Sequence, residues 1–456
     1  MDPQPAQTDK ESESNSGVAK ESSPVPFEVP FEVPDGGFVA WRTVAGAWLI
    51  LFGTFGYAHT FGVYEDYYVR VYLTNHTPSS IAWIGSFQLM MPSLMGPVAG
   101  KIFDAGGFYA VEAVGGLIFT FSVFMLSLCK PNQYYQVCTA AASCLPPVMT
   151  VWLQIFLAQA IGMGLGLGLT FLPSVGITVH HFKRRRGLAS GIVMSGSAIG
   201  ATVFPIMTNQ LLPRYGFAKT IRLTGAIIPP VLVLGNLMMR TRLPPRSKRG
   251  ANTAPPNIKS FFVEPAYIFT VVGNFVGLLG LFFPLVYIQL FSVQHSDSID
   301  RNLVFYSVAI LNASGALVRV LGTYLADLYG PFNVQVACSI GGGTLIWAML
   351  GIHNGRSLVV ISLLYGAFSN AYLALAFACV ASLAKGPEEI GARTGVVLAL
   401  SSFGELVSSP IQGALLTSDY HWIRPVAFAA TMTFVSGACY FVARTLHARV
   451  TSTWRV

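Results

Sequence analysis

Charge is scarce in this sequence, and the scarcity settles its class. Only 11% of the 456 residues are Asp, Glu, Lys or Arg, against roughly a quarter in soluble domains, so there is too little charge to clothe a water-facing surface on a chain this long. Cysteine is also sparse. The six cysteines have no metal-ligand spacing, and Cys338, Cys379 and Cys439 sit inside apolar runs as small packing residues; no metal or cofactor is expected. There is no His-Glu-x-x-His run, no Gly-x-Ser-x-Gly site and no His–Asp pair, so the intramembrane proteases and acyltransferases find no support and no enzyme is expected. Nothing resembles a carbonyl filter or a ring of acidic residues, which disfavours a channel. The first 35 residues lack an apolar core for signal peptidase, so the first membrane helix is expected to serve as an uncleaved targeting signal.

What the chain does contain is apolar length. Hydrophobic residues make up 53%, gathered in runs of about 20, the length that crosses a hydrocarbon core of about 30 Å. The runs predict an all-α integral membrane protein of twelve helices, at residues 43–63, 81–102, 108–129, 150–174, 188–209, 221–239, 266–290, 303–325, 333–352, 358–383, 394–416 and 424–443. The domains expected are a disordered tail (1–40), a six-helix bundle (41–239), a polar linker (240–264), a second six-helix bundle (265–445) and a short tail (446–456). The net charge of +8 is spread through short loops rather than over one soluble face, which argues against a nucleic-acid partner. Of the 28 Lys and Arg, 19 fall on the side of the termini and 8 on the other, so both termini are expected in the cytoplasm. That orientation puts Cys138 and Cys144 in the longest outer loop, as a disulfide or as two free thiols, and makes Asn75 of Asn75-His76-Thr77 an outer glycosylation candidate set against the nearby membrane and Pro78.

The two bundles repeat each other. Gly100 to Gly107 after the second span and Gly322 to Gly330 after the eighth are both short inner turns with one aspartate, and Gly191/Gly200 in the fifth span match Gly395/Gly404 in the eleventh. Duplicated bundles typically enclose a solute site at their interface and open it alternately to the two sides. Pro34-Asp35-Gly36-Gly37-Phe38-Val39-Ala40-Trp41 before the first span, Ala82-Trp83-Ile84-Gly85-Ser86 with Gln88, and Arg185-Arg186-Gly187-Leu188-Ala189-Ser190-Gly191 are similar to motifs of the major facilitator superfamily. Within it the chain resembles the monocarboxylate porter family, particularly its fungal members, from about Pro34 to the last span. The resemblance implies proton-linked movement of a small organic anion. It also implies a substrate-carboxylate role for an arginine in the eighth span. Mammalian members carry an aspartate one turn before that arginine; this chain has Gly315, so the direct aspartate–arginine relay does not carry over.

Ionisable groups inside apolar spans are expensive and are therefore the candidates for the solute and proton path. Arg319 is the leading one, a donor fork matched to a carboxylate, with a structural pairing near the inner turn as the alternative. Glu405 is the candidate proton site, or else a structural hydrogen-bonded glutamate. His59, where the resemblance places a functional lysine, suits both solute binding and proton coupling, or a helix-to-helix bond. Tyr57 and Asn370 complete the candidate solute site; Tyr64, Phe283, Tyr287 and Tyr372 are further aromatics near the path. Asp104, Asp327 and Arg186 are expected to gate at the inner turns through helix N-termini and the basic cluster, or to serve topology alone. Gly162, Gly164, Gly166 and Gly168 read as close helix packing rather than a nucleotide loop. Asn274, Asn312, Gln154 and Gln159 read better as helix-to-helix bonds than as path residues.

The sequence thus predicts a secondary transporter of a small monocarboxylate-like anion in the plasma membrane, with proton symport as a candidate coupling mode. Efflux of a fungal secondary metabolite and riboflavin-type uptake are the alternatives within transport, and a transporter-like nutrient sensor is the alternative outside it. The partners expected are the lipid bilayer, the solute and a proton; an accessory protein is left open.

Overall fold

In the computed structural model, residues 35–74, 78–129, 151–183, 185–242, 258–295, 299–384, 387–417 and 420–455 are described. Every regular element among them is a helix. In chain order the long ones are α1 (Phe38–Tyr72), α2 (Pro78–Asp104), α3 (Phe108–Leu126), α4 (Leu153–His180), α5 (Arg186–Gly225), α6 (Ile228–Met238), α7 (Pro265–Gln294), α8 (Arg301–Tyr329), α9 (Pro331–Gly351), α10 (Gly355–Ser382), α11 (Pro387–Leu416) and α12 (Ile423–Thr451). Among the described residues, ten helical stretches are long and apolar enough to cross a membrane, with α5 and α6 running together as one of them. A bilayer demands that backbone polar groups be satisfied within the segment, which is why these apolar runs become helices. Asn75, Cys138 and Cys144 lie outside the described residues.

Several helices outrun their apolar runs. α1 continues to Tyr72, well past residue 63, and its charged end is exposed, with Asp66 and Arg70 paired one turn apart at 2.5 Å. α5 does not stop at residue 209. It carries Pro213 and continues to Gly225 across a kink at Gly216, whose φ of 71° suits a residue without a Cβ. α12 runs to Thr451 rather than ending near 443. Beyond it, the Trp454 carbonyl accepts from Asn333, whose own Oδ1 accepts from Arg444, so the segment is tied to the bundle.

Buried apolar side chains divide by position in the chain. One cluster is built almost wholly from α1–α6, and two more are built almost wholly from α7–α12. Between the groups, α5 packs along α8 and α2 along α11. Close approach is local in origin: Gly166 meets Phe119 of α3 and Gly168 meets Met95 of α2 where side chains would otherwise stand, so the glycine run of α4 does pack helices. The Asp35-to-Trp41 motif is also structural here. Asp35 accepts from the Lys183 backbone N–H at 2.5 Å, and Trp41 meets Phe182 edge-on at 5.1 Å, fastening the start of α1 to the α4–α5 connection. The end of the bundle holding this contact and the last residues of α12 is termed the terminal face; the other is the distal face.

Candidate solute site

Two irregularities in the helices prepare a cavity. In α1 the backbone departs from regular geometry at Thr54 and again at His59–Thr60, where Thr60 N–H bonds back to Tyr57 rather than one residue further. In α7 Pro284 lacks the N–H that would continue the ladder, and the helix breaks at Phe282. Phe55 and Phe282 stand at these breaks, each seventeen residues after the first residue of its helix. Both face a central cavity.

The cavity draws on α1, α2, α4, α5, α7, α8, α10 and α11, and none of its lining comes from α3, α6, α9 or α12. Most of its wall is apolar. Phe55, Phe171, Phe282 and Phe377, from α1, α4, α7 and α10, supply aromatic faces; Phe55 and Phe171 are 4.7 Å apart by ring centroid, and Phe171 and Phe377 are 5.7 Å apart. Two ionisable groups from the second set of helices, Arg319 and Glu405, line the same space together with His59.

Arg319 is almost fully buried, at 7% exposure. Its Nε and Nη2 donate to Asn370 Oδ1 at 3.1 and 2.7 Å, and its Nη1 donates to the Met194 carbonyl at 2.8 Å and to Ser197 Oγ. A guanidinium has five N–H donors. Four are therefore committed to protein atoms among the described residues, and one remains for the cavity. Asn370 reaches its position because residue 315 is glycine: a Cβ there would run into the Asn370 carboxamide, whose Oδ1 lies 2.8 Å from the Cβ position. The Asn370 amide thus supplies a neutral acceptor beside Arg319. Asn370 Nδ2 donates to the Gly366 carbonyl at 2.9 Å, so it holds Arg319 and is not itself part of the cavity lining.

Glu405 accepts from Ser93 Oγ at 3.3 Å, a contact from α11 to α2. His59 lines this cavity and a second, distal one, and lies within electrostatic reach of Arg319. Tyr57, expected at the solute path, points elsewhere. Its hydroxyl bonds Tyr64 at 2.9 Å and Thr224 at 3.4 Å, and its ring packs on Phe119 and Phe204 in the first cluster, because the break at Thr54 turns Phe55 and not Tyr57 toward the cavity. Tyr64 and Tyr372 are likewise core residues, Tyr372 bonding Ser436 at 2.8 Å. Asn274 bonds Ser401 at 2.8 Å and accepts from Tyr440 at 3.3 Å, while Gln159 accepts from Tyr68 at 2.8 Å; each ties helices together, and Asn274 also touches the cavity.

Toward the terminal face the two sets of helices meet, α5 against α8. The Asp327 carboxylate accepts from the Leu188 N–H in the first turn of α5, where the helix end favours negative charge. Residue 187 must be small there: a Cβ on Gly187 would lie 2.5 and 2.7 Å from the two Asp327 oxygens. Arg186 begins the same helix. Asp104 is the last residue of α2, and its side chain lies outside the described residues. A cluster not foreseen from the sequence stands at the start of α11. Arg393 is buried, bonded to Glu264 at 2.7 and 3.1 Å and to Glu389 at 3.0 Å, and faces the Phe261 and Tyr267 rings at 4.6 and 5.3 Å.

Comparison with known proteins gives the family. The family profile of the Major Facilitator Superfamily matches residues 37–363. An aspyridones efflux protein of Emericella nidulans is 35% identical over 92% of this chain and 80% of its own length. An agnestins efflux protein of Paecilomyces divaricatus is 31% identical over 88% of this chain and 86% of its own. An MFS-type transporter of Ophiocordyceps sp. is 32% identical over 93% and 89%. Among solved structures, the E. coli fucose:proton symporter FucP superposes with a TM-score of 0.62 at 12% identity, covering 88% of this chain and 98% of that one, a likeness of fold. The chain belongs to the Major Facilitator Superfamily and is a multi-pass membrane transporter of small solutes, not an enzyme.

Proposed function

We propose that this transporter exports an amphipathic organic acid with an aromatic body, of the kind made as a secondary metabolite, by alternating access between two six-helix halves (41–239 and 265–445) that together span the plasma membrane twelve times with the terminal face in the cytoplasm. The observation that carries this reading is the composition of the central cavity: four phenylalanines from four helices surround a space that contains one arginine and one carboxyl. A small monocarboxylate such as acetate would leave those rings without contact. A flat apolar body would cover them while its acidic group meets Arg319. The relatives named for efflux support the direction.

The charge balance of the cavity supports a proton partner. Arg319 and Glu405 line the same cavity. An anion bound at Arg319 brings a further negative charge into that low-dielectric space, so proton uptake at Glu405 and anion binding at Arg319 favour each other. Solute and proton then move together, and net flow follows the gradient of the acid, outward from a cell that makes it. The solute must also displace part of what Arg319 already holds. Its bonds to Met194 and Ser197 join α8 to α5 across the interface, so an acid group that draws the guanidinium away loosens the contact on which the halves turn.

Untargeted mass spectrometry of cells and medium, with and without the protein, tests this. An aromatic acid that appears outside only when the protein is present is the expected result. Uptake of a small acid from the medium instead would overturn both the direction and the solute class.

A further inference from the structure

The distal cavity lies beyond the central one, on the side away from the terminal face. It is lined by α1, α2, α5, α7, α8 and α11, and two residues, His59 and Leu89, belong to both cavities. Among the described residues, Glu65 is the only Asp, Glu, Lys or Arg lining the distal cavity. From α2 come Ala82, Gly85, Ser86 and Leu89, and among the described residues α5, α8 and α11 present no titratable side chain to it. Glu65 interacts electrostatically with its neighbour Asp66 and with Tyr287 of α7, whose hydroxyl donates to the Ser409 carbonyl at 3.2 Å. His59 and Glu65 both line the distal cavity, and His59, Arg319 and Glu405 all line the central one, where His59 is within electrostatic reach of Arg319. No role assigned above uses Glu65.

We infer that Glu65 and His59 form the distal proton path of the transporter, connecting Glu405 to the water at the distal face. The placement is what a relay requires. A carboxylate stands in the distal space, an imidazole with two ring nitrogens sits in the partition, and a carboxyl waits in the central space. A proton taken from water by the Glu65 carboxylate passes to one His59 nitrogen, and the other nitrogen gives one to the Glu405 carboxylate; the imidazole ends neutral and Glu65 ends ionised. The reverse sequence discharges Glu405 to the outside. An organic anion moving through the same space is repelled by Glu65, so the proton and the solute need not share every contact.

The inference rests on Glu405 being the proton site, and the experiment separates the two. Right-side-out vesicles containing the full chain are dropped on the outside from about pH 8 to about pH 5 in the presence of dicyclohexylcarbodiimide, which adds to protonated carboxyls in apolar surroundings, and peptide mass spectrometry follows the adduct on Glu405. In the unsubstituted protein the adduct should form once the outer pH falls. Glu65→Gln and His59→Leu should each slow it roughly 10-fold or more, Glu65→Asp should restore it, and Asp66→Asn should leave it unchanged. Labelling of Glu405 that is indifferent to Glu65→Gln sinks the relay alone, and so does an equal slowing by Asp66→Asn, which would indicate a general effect of surface charge. Failure of Glu405 to label in the unsubstituted protein removes the proton site and the relay together.

Discussion

Asn370 accepts two hydrogen bonds from Arg319, from Nε at 3.1 Å and from Nη2 at 2.7 Å, while the opposite edge of the same guanidinium bonds Met194 and Ser197 on α5. A buried cation held on both edges is positioned before any solute arrives. Lysine keeps the charge but has no planar fork to span these partners. Arg319→Lys should therefore lose at least about 10-fold in export while the protein remains folded and in the membrane. Arg319→Ala should abolish export. Measured flux normalised to surface protein checks both; unaltered flux in Arg319→Lys would mean that only charge at this position matters.

Removing the acceptor rather than the donor tests positioning. Asn370→Ala leaves two buried N–H groups of Arg319 without their partner, a cost of about 1–3 kcal/mol for each unsatisfied group. Export should fall, and thermal unfolding in detergent should shift downward. Asn370→Asp should behave differently: an ionised carboxyl would pair with Arg319 and compete with the solute, giving a protein at least as stable as the parent but weak in transport. Stability and export moving in opposite directions in Asn370→Asp is the diagnostic result.

The helical architecture was largely legible in the amino-acid sequence, because apolar runs of membrane-crossing length leave few alternatives. Arg319, Glu405 and His59 were legible for the same reason, since charge within such a run stands out. Aromatic placement was not. Tyr57 and Phe55 are two residues apart in an equally apolar stretch, and which one faces the cavity depends on the irregular turns at Thr54 and His59, which no periodicity announces. Phe282 rather than Phe283 lines the cavity for a similar reason at Pro284. Glu65 was passed over because α1 continues beyond its apolar run. Arg393 falls one residue before the apolar run at 394–416, and its burial depends on Glu264 and Phe261, which lie more than a hundred residues earlier in the chain.

The aromatic wall makes its own prediction. Each ring lost from contact with a flat solute should weaken binding by about 0.5–1.5 kcal/mol, or roughly 2- to 12-fold. Phe55→Ala, Phe171→Ala, Phe282→Ala and Phe377→Ala should thus raise the half-saturating concentration of an aromatic acid. They should have little effect on binding of a small aliphatic acid that reaches only Arg319. Tyr57→Phe, which removes a hydroxyl from the core rather than from the cavity, should leave both unchanged. Equal effects on small and aromatic acids would show that the rings only shape the cavity.

The Arg393 cluster should act on stability rather than selectivity. Its guanidinium is 1% exposed, and its partners Glu264 and Glu389 are partly open to solvent at 28% and 22%. Removing the arginine leaves two carboxylates that can rehydrate, whereas removing Glu264 leaves a buried cation with only Glu389. Glu264→Ala should therefore be the more damaging change, approaching the about 3–5 kcal/mol seen when one partner of a buried pair is lost, and Glu389→Ala should be milder. Unfolding midpoints of the three single variants in detergent give the order; equal midpoints would place the cluster in contact with water.

Asp327 and the first turn of α5 bear on the conformational cycle. The carboxylate crosses from α8 to the Leu188 N–H, and a charge at a helix N-terminus contributes about 0.3–1 kcal/mol, up to about 2 kcal/mol when partly buried. Neutralising it in Asp327→Asn weakens the contact on the terminal face without affecting the distal one, so the population should move toward conformers open at the terminal face. A shift of about 1.4 kcal/mol would change that population about 10-fold. Met194, on the central cavity, provides the reporter: in a Met194→Cys background, a membrane-impermeant maleimide applied from the terminal side should label faster once Asp327→Asn is added, and more slowly from the distal side. Faster labelling from both sides would mean that the substitution loosens the bundle as a whole. Opposite changes on the two faces are what a gate requires, because the halves cannot open at both ends while α5 still packs along α8.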